Sequence, residues 1–108
     1  MASEYSCKFS AKAVVDIEDI MQYISETLCN KQAAKSLLRK IFDKIDQICT
    51  YPESGNTIEN PFLSDKAVRK VNVDNYVLYY KAEAKEQVIY VIRIVYGKRN
   101  LDEILRLL

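Results

Sequence analysis

Apolar positions along the chain follow two different rhythms, and the change between them divides it. From Ser10 to Cys49 they recur at three- and four-residue steps, while from Val71 to Tyr96 they form long runs rich in β-branched and aromatic residues. In the first region Ala13, Ile17, Ile20, Met21, Ile24 and Leu28 fall on one helical stripe, with Val14 beside it and Asp16, Glu18, Asp19 and Gln22 largely opposite. Ser10 is placed to cap this helix. Cys29-Asn30 reads as a tight break, with Asn30 capping a second helix. Its stripe is Ala34, Leu37, Leu38, Ile41, Phe42, Ile45, Ile48 and Cys49. So short a turn predicts an antiparallel helical hairpin, which needs an apolar surface to cover.

Strands supply that surface. Tyr5 to Phe9 alternates, with Tyr5, Cys7 and Phe9 on one side, and predicts a first strand. Tyr51-Pro52-Glu53-Ser54-Gly55 stops the second helix, since Pro cannot continue it and Gly permits a sharp turn. A loop then runs to about Asp65, with Phe62 and Leu63 as its anchors. Ala67 to Val73 reads as an edge strand, and Arg69 and Lys70 alternate across it. Tyr76–Tyr80 and Val88–Tyr96 are the two long strands, joined by the polar stretch Lys81–Gln87. In the last strand simple alternation puts Tyr90, Ile92, Ile94 and Tyr96 on one face and Ile89, Val91, Arg93 and Val95 on the other. A strand apolar on both faces has material packed on each side. Arg93 breaks the pattern, and a guanidinium rarely enters a core unpaired; Asp16, Asp19 and Glu103 are the carboxylates open to it. The tail from Asn100 predicts a short helix capped by that residue. The order β-α-α-β-β-β with a short C-terminal helix is an α+β domain, a helical hairpin on a small, mostly antiparallel sheet, spanning residues 1–108.

Composition narrows the chemistry. The 108 residues carry 16 Lys and Arg against 15 Asp and Glu, so bulk charge makes no case for nucleic acid, and only its distribution can. Histidine is absent and the three cysteines, Cys7, Cys29 and Cys49, lie far apart without CxxC spacing, which argues against a zinc site or disulfide framework. No cofactor and no metal are expected. Without histidine, any acid–base work falls to Lys, Arg, Tyr or a carboxylate. No apolar run is long enough to span a membrane and no signal peptide opens the chain, so a cytoplasmic protein is expected. Where the last strand ends, Tyr96-Gly97-Lys98-Arg99 brings cations together, and this is the candidate site.

The chain resembles the RelE/ParE superfamily of toxins from type II toxin–antitoxin modules. The likeness rests on Phe9-Ser10-Ala11-Lys12-Ala13, Tyr23-Ile24, Ala33-Ala34, Pro52-Glu53-Ser54-Gly55, Arg69-Lys70-Val71, Asn75 to Tyr80 and Ile92 to Arg99, in that order. It implies a growth-inhibiting toxin neutralised by a cognate antitoxin. RelE-like members cut mRNA on the ribosome, whereas ParE-like members share the fold and inhibit DNA gyrase; an inactive member that only binds antitoxin is a third reading. RNA cleavage by the 2′-hydroxyl needs held in-line geometry and charge stabilisation at phosphate. On the RelE pattern Arg99 matches the arginine after the last strand and Lys70 one lysine. Val77 stands where the hairpin arginine would be and Leu105 where the tyrosine would be. Tyr96 is the phenol at the site. The resemblance thus implies Arg99, Lys70 and Tyr96 as catalytic residues, with Lys98, Arg69 and Arg93 as contacts to RNA or another target.

Overall fold

The computed structural model describes residues 5–61, 63, 65–98 and 106. Its elements are β1 (Ser6–Phe9), α1 (Ala11–Gln22), α2 (Lys31–Thr50), β2 (Asn56–Thr57), β3 (Arg69–Val73), β4 (Tyr76–Glu83) and β5 (Val88–Tyr96), with a π-helical turn, Tyr23–Thr27, closing α1. The strands form one sheet in the order β1-β5-β4-β3-β2, antiparallel except where β1 runs parallel to β5. This is the α+β arrangement that the two rhythms predict. The expected helix after Asn100 and the Phe62 anchor lie outside the described residues, apart from helical Arg106.

Both helix caps form as the sequence predicts. The Ser10 hydroxyl accepts from the Ala13 N–H at 3.0 Å and donates to the Ile92 carbonyl at 2.7 Å, so one side chain starts α1 and ties it to β5. Asn30 Oδ1 accepts from the Ala33 N–H at 2.9 Å. Cys29, at φ 52°, makes the reversal between the helices.

The hairpin covers one face of the sheet. Ala13, Leu37, Ile41, Ile45 and Ile48 pack against Leu78, Tyr80, Ile89, Val91 and Ile94. A second, smaller core lies elsewhere, where Ile58, Leu63 and Val68 from the long loop cover Val77, Tyr79 and Val95, with Ile92 beside them. Leu63 thus anchors the loop as its sequence suggests.

Four details depart from the expected pattern. Tyr79 pairs with Arg93 but Tyr80 with Val91, so Ile92 is an extra residue in β5. The bulge shifts the alternation: Ile89, Val91 and Ile94 all join the helix-side core, and Ile92 joins Val95 in the other. The π-turn does the same to α1. Its wider ring, closed by Leu28 N–H on the Tyr23 carbonyl at 3.0 Å, rotates the following residues, and Leu28 leaves the core stripe to stand 55% exposed. Thirdly, β3 is not an edge strand where Arg69 and Lys70 lie, because Thr57 and Asn56 of β2 pair with them. Fourthly, β4 runs on through Lys81, Ala82 and Glu83, which pair with Tyr90, Ile89 and Val88, so the turn shrinks to 84–87.

All three cysteines are free. Burial, then the neighbouring Cys49 and Asp46, pushes the Cys7 thiol up to about 11, and Cys49 is raised by burial and Asp46. A thiol whose folded value exceeds its unfolded value of 9.0 stabilises the fold below pH 9 and loses that contribution as pH climbs toward 11. Urea melts between pH 8 and 11 are expected to show stability falling through this window, and Cys7→Ser is expected to flatten the decline. A disulfide-exchange reagent at pH 8 is expected to label exposed Cys29 well ahead of the other two.

Candidate functional site

The end of β5 is built from three elements that are far apart in the sequence. Tyr96 lies opposite Tyr76 in the β4–β5 register, and the two rings meet edge to face at 5.8 Å. Gly97 donates to the Asn75 carbonyl at 2.8 Å, and a Cβ there would stand 3.1 Å from that oxygen. The turn therefore hugs the β3–β4 connection before the chain reaches exposed Lys98. Tyr23, which opens the π-turn, and Leu28, turned outward by it, complete a groove of about 590 Å³ with Asp19, Ile20, Asn75, Tyr76 and Tyr96. Burial first, then the Tyr96 and Tyr23 phenols, raises the Tyr76 hydroxyl above its ordinary value, so it stays protonated at neutral pH. The surface offers aromatic area and hydroxyl donors with a carboxylate at the rim.

The remaining residues singled out from the sequence lie elsewhere. Lys70 pairs with Tyr79, three register steps from the Tyr76–Tyr96 pair and two strands away from β5. That is roughly 10 Å along the strands and another 10 Å across them. Lys70 is half-buried between Asn56 and Tyr79 in the cross-strand row. Arg69 points to the loop after α2, where Nη1 donates to the Gly55 carbonyl at 2.8 Å and, more weakly, to that of Glu53 at 3.4 Å. Arg99 and Leu105 lie outside the described residues.

Arg93 finds Asp16 among the three carboxylates open to it. Nε and Nη2 donate to Asp16 Oδ2 and Oδ1 at 2.7 and 3.0 Å, and the Ile94 N–H donates to Oδ2 at 3.0 Å. The reason lies in the sheet edge. β1 pairs with β5 only from Val88 to Val91, and beyond that point α1 lies alongside instead of a strand. Asp16 takes the place of the missing strand carbonyl for Ile94, and the bulge at Ile92 sets Arg93 where it can close the fork. The hydrogen bond to Asp16 raises the Arg93 value further against the opposing effect of burial, so the guanidinium stays charged and committed.

Val77 fills the hairpin position discussed above with a side chain 8% exposed, inside the core formed with Ile58, Leu63 and Val68. Leu28 was not legible as a groove residue because it continues the α1 stripe in phase, and Tyr23 stood out in the sequence only as part of the Tyr23-Ile24 likeness to the family. Among the described residues no group of three or more Cys, Asp or Glu is placed to hold a metal ion, and no helix is long and apolar enough to cross a membrane.

A family model described as the ParE toxin of the type II toxin–antitoxin system parDE matches residues 7–101. None of the curated proteins matches the sequence. Among solved structures, the chromosomal ParDE system of P. aeruginosa includes a chain that superposes with a TM-score of 0.69 at 15% identity, covering 90% of this chain and all 100% of that one. A variant of the E. coli toxin RelE in the free state gives 0.66 at 13% identity, covering 96% and 95% of the two chains. The archaeal RelE–RelB complex of Pyrococcus horikoshii OT3 gives 0.60 at 15% identity, with 89% and 98% covered. At these identities the superpositions establish a shared fold.

Proposed function

The chain belongs to the ParE toxin family of type II toxin–antitoxin systems, and from that membership we propose that it arrests growth by binding DNA gyrase, without cutting RNA. It is the toxin component of such a module, and its neutralising partner is a cognate antitoxin, as in the ParDE and RelE–RelB assemblies of similar fold. The observation that carries the choice of target is Val77. RelE carries an arginine there, whereas here the position holds an apolar side chain packed under the long loop, with no charge to offer a phosphate. The separation of Lys70 from Tyr96 and Lys98 points the same way, since phosphoryl chemistry needs its groups converged on one phosphate.

In this reading the working surface is the aromatic groove together with Lys98 and, following it in the chain, Arg99. Tyr23, Tyr76 and Tyr96 supply rigid aromatic anchors and the cations supply steering, the combination that dominates protein interfaces. Purified protein is expected to inhibit negative supercoiling by gyrase and to leave mRNA on programmed ribosomes intact. Tyr96→Ala and Lys98→Glu are each expected to weaken inhibition by roughly tenfold or more. Ribosome-dependent cuts that vanish with Arg99→Ala would replace this reading with mRNA cleavage. Neither effect from folded protein would leave an inactive antitoxin-binding member.

A further inference from the structure

The first three turns of α2 break two local rules at once. From Asn30 to Phe42 the chain carries four cations, Lys31, Lys35, Arg39 and Lys40, and no acid. Lys31, Lys35 and Arg39 are exposed and spaced four residues apart, so like charges meet at each i,i+4 step along about 12 Å of helix. Lys31, in the first turn, also sits at the positive end of the helix dipole, which favours acids. Both placements destabilise α2. Lys40 is relieved by Asp74 at 3.2 Å, and Arg39 has Asp43 four residues on along its row, but among the described residues no ion pair reaches Lys31 or Lys35. A rule broken without a compensating contact marks a surface shaped by something other than folding.

We propose that this stripe of α2 binds the phosphate backbone of a nucleic acid. Three point charges in line match a row of phosphates, and the attraction needs no apolar core. Among α2 side chains Phe42 is the most open large apolar group, 46% exposed, with one edge packed against the Phe9 ring at 6.2 Å. An acidic protein helix laid here would therefore bury little apolar area, which disfavours a protein partner. Phe42 can stack on a base instead. A net charge of only +1 means that any such binding comes from this local row and not from the whole molecule. The inference concerns the outer face of α2 and does not depend on gyrase being the target.

The test is fluorescence anisotropy of the full chain with labelled DNA and RNA oligonucleotides across a salt series. Neutralising three phosphate contacts predicts that the triple variant Lys31→Gln, Lys35→Gln, Arg39→Gln has a log K against log salt slope shallower by about 2, and binds on the order of a hundredfold more weakly at 0.1 M salt. The same variant is expected to melt at or above the native temperature, because the like-charge ladder is gone. The charge-preserving pair Lys31→Arg, Lys35→Arg is expected to keep the native slope, which separates lost charge from lost fold. Unchanged oligonucleotide binding by the triple variant would overturn the proposal. So would polyglutamate binding as tightly as an oligonucleotide of equal charge with the same loss on the variant, which would assign the stripe to an acidic protein.

Discussion

Asp16→Ala is expected to lower stability by about 3–5 kcal/mol, the usual cost of removing one partner from a largely buried ion pair. The Asp16 and Arg93 side chains are 13% and 10% exposed, so water is a poor substitute for the lost carboxylate. The substitution strands two groups: the Arg93 guanidinium, and the Ile94 N–H on a sheet edge that no strand covers. Asp16→Asn keeps an acceptor for Ile94 and removes the charge, so it is expected to fall between native and Asp16→Ala. Asp16→Leu combined with Arg93→Met is expected to cost less than the sum of its single changes, because neither half of the pair is left alone. Urea unfolding midpoints at pH 7 measure all five variants, the two single changes of the pair included. A loss under about 1 kcal/mol for Asp16→Ala, the range of exposed pairs, would show that water enters the edge and that Asp16 is dispensable there.

Gly55→Ala is expected to cost about 3 kcal/mol, from overpacking of ~1–3 kcal/mol and from hydrogen bonds worth ~1–3 kcal/mol each when a buried group is left unpaired. A Cβ at Gly55 would stand 2.5 Å from Tyr80 Oη, 2.7 Å from Tyr80 Cε1 and 3.0 Å from the Lys70 carbonyl. Tyr80 cannot step aside cheaply. Its ring is fully buried, and its hydroxyl accepts from the Gly55 N–H at 2.9 Å while donating to the Pro52 carbonyl at 2.8 Å. This one phenol holds the loop after α2 to the sheet, and Arg69 reinforces it through the Gly55 carbonyl. Tyr80→Phe is expected to cost ~1–3 kcal/mol. In a thermal melt the Gly55→Ala protein should unfold well below native, at roughly 4–8 °C per kcal/mol. The Gly55→Ala, Tyr80→Phe pair is expected to be less than additive, since both act on the same two hydrogen bonds. Additive losses would mean that the alanine strains the chain at another point, with the Lys70 carbonyl the nearest neighbour left.

Much of the fold was legible because it depends on short-range regularities. Helical spacing in α1 and α2, the Ser10 and Asn30 caps, the Pro52–Gly55 stop and the aliphatic runs of β4 and β5 each report local backbone preference and one buried face. The candidate site was less legible. Tyr96 and Lys98 could be picked out as the end of a strand, but Tyr23, Leu28 and Tyr76 join them only through packing. Arg69 shows the limit from the other side: a cation expected on an edge strand turned out to hold a loop, because β2, two residues long, is too short to leave a pattern.

By itself the sequence determined the kinds of element, their order and most of the stripe that each helix buries, Leu28 and Phe42 excepted, since these follow from residue type at fixed spacing. Tertiary structure alone decided the bulge at Ile92, the π-turn after α1, the choice of Asp16 among three carboxylates and the union of Tyr23, Tyr76 and Tyr96 in one groove. Each of these trades a local cost for a contact with residues distant in the chain. Such a trade leaves no periodic trace, because the energy that justifies it belongs to the partner found only when the chain has closed on itself.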